Sequence, residues 1–275
     1  MFEDFYERYE DEEHEVIVLI ENVLGAGKCN NYWAMTATTL GMVFCENGKE
    51  DIRRGRLGWP VTDEERNGEK GWNLFRKGQI CRIRVRKLSE KKLPQGAETQ
   101  EINSWCLTEV LEAKTECREL EKLWEEYIKP VEIENDVLGI LTLNKELDMF
   151  EGEITLDEEK VLLYLEVDAQ DCSSWNSAAA NAAAFVSDWK NKDRQVRAFA
   201  AGELTELANE WQEDDENAGD ITEDIFAQRI SVSEMSFTSD GDFTAYYNDD
   251  DMFWGHAVEI CGNIETGLES ANIAG

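Results

Sequence analysis

The order of hydrophobic periods in the second half of the chain is the feature that most constrains its fold. Three strand-like apolar segments come first, two long helical stripes follow, and strand-like segments then resume. Strands and helices that are segregated in this way are typical of an α+β domain. We therefore predict one mostly antiparallel sheet with helices packed on one face. The strands are expected at 138–143, 149–156, 161–167, 231–238, 243–247 and 268–273, with another that ends at 260.

Two apolar stripes identify the helices of this domain. In each stripe the apolar residues recur at steps of four, three and four, which places them on one helix face. The polar segment 190–194 separates the stripes, so we predict two helices with a turn or a kink between them. A third, short helix is expected after Thr222, a good N-cap that Glu223 and Asp224 follow. The stripes are Ala178, Ala182, Phe185 and Trp189, and Ala200, Leu204, Leu207 and Trp211.

The first part of the chain, residues 1–112, is predicted to be rich in β-structure. Four or five segments of β-branched and aromatic residues favour a small β-barrel or a curled sheet. The segment 55–71, which contains Trp59-Pro60, is predicted as a loop or hairpin arm, and 25–28 as a turn. The strands are expected at 15–24, 32–45, 79–88 and 103–111.

A charged amphipathic helix is expected between the two parts, because Cys117, Leu120, Trp124 and Tyr127 form one apolar stripe before Pro130. These patterns divide the chain into a β-rich domain at 1–112, a connector helix at 113–130 and an α+β domain at 131–275.

The charge is strongly negative and unevenly distributed. The net charge is −33, of which residues 136–275 carry −25, whereas residues 49–92 carry +7. A polyanion repels phosphates at long range, so duplex nucleic acid and anionic membranes are poor partners. A basic protein is the favoured partner.

The basic segment includes an alternating face formed by Arg82, Arg84 and Arg86. A basic strand face on a barrel can hold a single strand of nucleic acid, although aromatic residues do not alternate with these arginines. The alternative is that the arginines pair with the protein's own acids, including those of the second part.

Seven cysteines at wide spacings, with no Cys-x-x-Cys pair, indicate reduced and mostly buried thiols. The amino terminus lacks the pattern of a signal peptide, and no apolar run is long enough to span a membrane. We therefore expect a soluble cytoplasmic protein, and no cofactor is predicted.

An acidic cluster near the carboxyl terminus is the strongest candidate for chemistry. Oxygen-rich clusters bind Ca²⁺ or Mg²⁺, and a histidine beside acids can act as a general base. The spacing does not fit an EF-hand, and aspartates are also common in turns. Whether the two acidic turns meet in space depends on the fold. The cluster comprises Asp240, Asp242, Asp249, Asp250, Asp251 and His256, of which Asp240 and Asp242 are weak metal candidates.

The same region could instead be a recognition surface. Aromatic residues anchor protein interfaces, and acids steer a basic partner toward them. The alternative is an ordinary core edge beside a solvated turn. The residues of the predicted surface are Tyr247, Asp249, Asp250, Asp251, Phe253 and Trp254, with Tyr246 beside them.

Several segments of the second part carry a family resemblance. They are 138–141 with 150–152, 163–168, 197–204 with 208–211, and the most specific run, from 240–243 through 251–256 to 273–275. Over residues 136–275 the chain resembles a bacterial family known as domain of unknown function 2262. The resemblance implies a domain and no activity.

Two functional hypotheses follow. The first is a non-enzymatic binding or accessory protein that uses the acidic, aromatic surface against a protein partner. The second is a metal-assisted, hydrolase-like enzyme with a site around Asp249, Asp251 and His256.

Overall fold

The computed structural model describes residues 2–29, 31–89, 103–168, 171–212 and 219–275. The chain divides into two compact units, Met1–Lys129 and Pro130–Gly275. Each unit has buried apolar clusters of its own, so each has the means to fold around its own core.

The first unit is built mainly of strands. Its elements are α1 (Glu3–Tyr6), β1 (His14–Lys28), β2 (Trp33–Phe44), β3 (Glu50–Asp51), β4 (Gly55–Val61), β5 (Ile80–Lys87), β6 (Ser104–Glu112) and α2 (Arg118–Tyr127).

The sheet of this unit closes into a barrel. Its strand order is β1-β5-β6-β4-β2-β3. An additional pairing of β1 with β2 closes the first five strands of this order into a ring. The β4–β6 pair is parallel and the others are antiparallel. This Greek-key order is that of an OB-fold barrel. The predicted β-rich first part and its curled sheet are confirmed.

Two segments of the barrel differ from the prediction. Residues 25–28 continue β1, where Gly25 pairs with Thr36 and Lys28 with Trp33, and they form no turn. Residues 55–61, predicted as part of a loop or hairpin arm, form strand β4 of the barrel, because Leu57, Trp59 and Val61 are buried in the core. The glycines in both segments, and Pro60 in β4, are typical of turns and loops, so neither segment looks like a strand in the sequence.

Helix α2 belongs to the first unit. Leu120 and Cys117 are buried with Leu19 and Leu40 on the outside of the barrel. The Tyr127 hydroxyl donates to the fully buried carboxylate of Glu21 at 2.6 Å. The apolar stripe of the helix therefore has a partner within its own unit.

The second unit has the predicted order of strands, helices and strands. Its elements are β7 (Glu132–Asn135), β8 (Gly139–Asn144), β9 (Met149–Leu156), β10 (Glu159–Glu166), α3 (Cys172–Ser187), α4 (Trp189–Trp211), α5 (Glu223–Arg229), β11 (Ser231–Thr238), β12 (Asp242–Asn248), β13 (Ala257–Asn263) and β14 (Gly267–Ala274).

These strands form one sheet in the order β14-β13-β12-β11-β10-β9-β8-β7. Among the described strands of this sheet, only the β10–β11 pair is parallel, because helices α3 to α5 form the crossover between them. Alternate residues such as Leu163, Phe237 and Phe243 are buried against Phe185 of α3 and Leu204 of α4. The α+β prediction, with helices on one face, is confirmed.

The helix boundaries and one strand differ in detail. Helix α4 begins at Trp189, so the break lies at Asp188 and not at 190–194. The side chain of Thr222 caps α5 by accepting from the Ile225 amide at 3.3 Å. Strand β7 was not predicted, because Ile133 is the only apolar residue among its four and no alternation is visible.

Candidate functional site

The acidic segment between β12 and β13 is a compact loop, here called the aspartate loop (residues 249–256). Asp249 is buried and its carboxylate accepts three backbone N–H groups of the loop. The donors are Asp251 at 3.2 Å, Phe253 at 2.6 Å and Gly255 at 3.3 Å. A carboxylate that accepts hydrogen bonds from several amides is a strong local constraint. Asp249 therefore fixes the shape of the loop.

The loop stores backbone strain. Asp250, Asp251 and Trp254 have φ values of 49°, 61° and 59°, and Gly255 follows at 85°. For a residue with a Cβ, the left-handed region costs roughly 1–2 kcal/mol. Such strain persists only where the surrounding contacts impose it, and it clusters at functional positions.

The strained tryptophan is the exposed one. Trp254 is 70 % exposed, whereas its neighbours Met252 and Phe253 are buried. Its ring packs on Trp211, at the end of α4, with centroids 4.7 Å apart. Phe253 also contacts Trp211, at 5.6 Å. The loop thus presents one large aromatic ring on a platform made by α4.

Tyr247 lies in the core, below the loop. Its hydroxyl donates to Asp193 at 2.9 Å, and Asp193 forms an ion pair with Arg197 at 2.7 Å. Burial, with Asp193 beside it, raises the pKa of Tyr247 far above its usual range. Arg197 also donates to the carbonyl of Ile230. This network joins α4 to β12 and supports the loop from beneath.

The three consecutive aspartates have three different environments. Asp249 is buried, as described above, and Asp250 forms an ion pair with Arg229 at 2.7 Å. Asp251 is exposed, and its carboxylate has no ion-pair partner among the residues described. Asp251 and Trp254 are therefore the members of the predicted surface that offer an accessible charge and an accessible ring.

His256 lies beside the aromatic platform. Its ring meets Trp211 edge to face at a centroid distance of 5.9 Å. Within the described ranges, its side chain makes no hydrogen bond or ion pair with a carboxylate, and no group of three His, Cys, Asp or Glu side chains is suitable for a metal ion.

The second acidic turn lies elsewhere. Asp240 precedes β12 and Asp242 is its first residue, whereas the aspartate loop follows the end of β12 at Asn248. Seven extended residues separate the two turns by about 20 Å. Asn263 donates to the Asp242 carboxylate at 2.7 Å. The structure therefore does not bring Asp240 and Asp242 to His256.

The arginine face of β5 pairs with acids of its own unit. Arg82 donates to Glu15 and, at 2.9 Å, to Glu112. Arg84 binds Glu109, and Arg86 binds Glu13 at 2.8 Å. The expected pairing with the protein's own acids is present, and its acids come from β1, β6 and the segment before β1.

All seven cysteines are free thiols. Burial raises the pKa of Cys81 to about 12 and that of Cys106 to about 11. A protonated, buried thiol is a poor nucleophile, so these two side chains serve packing.

The fold and the site define a two-unit protein, in which a Greek-key barrel is followed by an α+β unit that carries a strained aromatic loop. Over residues 135–273 the chain matches the family described as "Uncharacterized protein conserved in bacteria (DUF2262)", and it belongs to that family. Residues 1–127 match a second family, described as "Domain of unknown function (DUF7021)". No curated protein and no solved structure matches the chain. Among the helices of the described ranges, none has the length and apolar character needed to cross a membrane.

Proposed function

We propose that this is a cytoplasmic binding or accessory protein that holds a basic protein partner on the aspartate loop. Trp254 is the anchor of the interface, and Asp251 is the charge that orients the partner. The observation that carries the proposal is the 70 % exposure of Trp254 at a strained backbone position.

An exposed tryptophan on a rigid loop has the properties of an interface anchor. Tryptophan is enriched among residues that dominate binding energy, since its large ring is buried at low entropic cost. The ring is held by Trp211 below it, and the loop is held by Asp249. Most of the cost of ordering the anchor is thus met before the partner arrives.

The charge of the second unit favours a basic partner. Residues 136–275 contain 32 acids and seven bases, and the carboxylate of Asp251 is exposed beside the anchor. Such a field accelerates encounter with a cationic surface and repels an anionic one. The free thiols support a reducing compartment such as the cytoplasm.

The test is affinity capture from a bacterial lysate, followed by titration of the captured protein against purified variants. We expect Trp254→Gly to weaken binding by at least about tenfold, because truncation of an anchor typically costs about 2 kcal/mol or more. Asp251→Asn should slow association and reduce its dependence on salt. Both effects are read from association and dissociation rates at two salt concentrations.

Two matched variants control this experiment. Trp72→Ala removes another exposed tryptophan, which is 41 % exposed in the first unit, and Asp136→Asn removes an exposed acid near the opposite edge of the sheet. Neither should change the affinity. Because glycine adopts the backbone of residue 254 without strain, Trp254→Gly is expected to fold. A partner that binds the Trp254→Gly variant as tightly as the wild type contradicts the proposal.

A further inference from the structure

A cavity of about 650 Å³ opens on the first unit, outside its packed core. One wall is formed by Arg8 and Tyr9, which follow α1. Further lining comes from the second half of β1, the start of β2 and the outward residues of β4. This volume lies within the range of sites that hold small organic ligands, which is about 300–1,000 Å³.

Among the described residues, two arginines of the cavity wall have no carboxylate partner. Arg8 and Arg56 are both exposed, and neither forms an ion pair with any acid in the described ranges. By contrast, Arg54 on the same barrel is paired with Glu21 and Arg82 with Glu15. In a chain of net charge −33, two guanidinium groups that no acid of the described ranges neutralises give this cavity a local positive charge.

Arg8 packs over two aromatic side chains at the cavity wall. The guanidinium of Arg8 lies 5.1 Å from the ring centre of Phe5 and 5.7 Å from that of Tyr9. Burial raises the pKa of Tyr9 to about 12, while Arg8 and Arg56 both act to lower it. Both cations therefore lie close enough to the Tyr9 hydroxyl to favour its ionised form.

The remaining lining suits a ligand with a flat or apolar part. Leu24 and Leu88 supply apolar surface, and Thr36 supplies a hydroxyl. Gly25 and Gly27 leave open space beside the β1 backbone, since a Cβ built on either would meet no atom within 4 Å. A ring can therefore approach the backbone of β1 closely.

We propose that this cavity binds a nucleoside phosphate, with the phosphate on Arg8 and Arg56 and the base against the apolar and glycine wall. Arginine recognises phosphate by paired charge-assisted hydrogen bonds, and its planar group also stacks on bases. The volume of the cavity favours a single nucleotide over a bare anion.

The overall charge favours a small ligand over a nucleic acid strand. At physiological salt, charges beyond about 8 Å are largely screened, so a nucleotide in the cavity interacts mainly with the two arginines. A long strand would instead carry many phosphates over a strongly acidic molecule. The proposal therefore excludes single-stranded RNA or DNA as the preferred ligand.

The test is calorimetric titration of the full-length protein with AMP, ATP, adenosine, ribose 5-phosphate, inorganic phosphate and a ten-nucleotide RNA. AMP or ATP should bind with micromolar affinity. Arg8→Gln and Arg56→Gln should each weaken that binding by at least about tenfold. Arg84→Gln, which removes an arginine that is already paired with the protein's own acids, should leave it unchanged.

A second variant tests the cavity without altering its charge. Gly27→Leu places a side chain in open space, so the fold should persist while nucleotide binding falls at least about tenfold. Circular dichroism checks that each variant is folded. The proposal is overturned if neither AMP nor ATP binds at about 1 mM. It is also overturned if binding survives both arginine substitutions, if phosphate alone binds as well as a nucleotide, or if the RNA binds more tightly.

Discussion

Asp249 and Asp250 are adjacent in sequence and have opposite roles in the structure. The Asp249 carboxylate is buried and bonded to three backbone amides, whereas that of Asp250 lies at the surface against Arg229. In the sequence, both residues belong to the same run of aspartates. At the residue scale, the hydrogen-bond partners show that the Asp249 side chain holds the backbone of the loop, whereas the Asp250 side chain makes an ion pair at the surface.

The first prediction concerns these two residues. Asp249→Ala should lower the free energy of unfolding by about 2–3 kcal/mol, because it leaves buried amides without an acceptor. Asp250→Asn, the matched control, should cost at most about 1 kcal/mol, because it removes only a surface ion pair. Urea unfolding followed by tryptophan fluorescence measures both. Equal losses in the two variants would show that Asp249 does not hold the loop.

The hairpin between β9 and β10 shows how a single turn is matched to its surroundings. Asp157 and Glu158 have φ values of 47° and 73°, and Leu156 pairs with Glu159, so the connection is a two-residue turn. Turns of this kind favour Asn-Gly or Asp-Gly. Asp157 also accepts a hydrogen bond from the Trp189 indole at 2.9 Å, which ties the hairpin to α4.

We therefore predict that Glu158→Gly stabilises the protein. The substitution relieves a positive φ in a residue with a Cβ and should add about 0.5–1 kcal/mol to the free energy of unfolding. Glu159→Gly, one residue further on and within β10, should instead subtract a similar amount, since glycine in a strand gains freedom on unfolding. Opposite shifts of the urea midpoint support this assignment, and a loss in both variants would refute it.

Periodicity was sufficient for most elements because each of them buries one face. The helical stripes and the alternating strands of the second unit are confirmed, and Thr222 caps α5 as predicted. Strand β4 was predicted only as part of a loop or hairpin arm, because it begins at Gly55, where an added Cβ would lie 2.8 Å from the backbone oxygen of Asn103. A glycine required by such a distant contact looks like a loop residue in the sequence.

The candidate site was predictable in place but not in detail. The sequence located the aspartate loop, and the same alternation that buries Phe243 and Ala245 places Tyr247 on the core face of β12. No sequence pattern predicted that Trp254 is exposed while Phe253 is buried, because the residues of a turn do not alternate regularly between core and solvent. The cavity near Arg8 and Arg56 combines segments that are far apart in the chain, and only the barrel brings them together.

At the scale of the whole molecule, the two units differ most in their charge. Residues 136–275 carry −25 of the total −33, and with seven bases against 32 acids most of those acids have no cation in the same unit. Like charges held close in a folded unit repel one another more than they do in an extended chain, and this repulsion destabilises the compact state. Each unit has its own core, so calorimetry should resolve two unfolding transitions.

The last prediction is that salt stabilises the second unit more than the first. Raising NaCl from about 0.02 M to about 0.5 M shortens the screening length to a few ångströms and removes most of the repulsion. The transition of the second unit should rise by roughly 5 °C, and that of the first unit by much less.

Two variants assign the transitions. Tyr127→Phe removes the bond to buried Glu21 and should lower only the first unit's transition, whereas Asp249→Ala should lower only the second's. An equal rise in both transitions would mean that salt acts through general exclusion from the surface, and that the concentration of acids in one half of the chain has no energetic consequence for its folding.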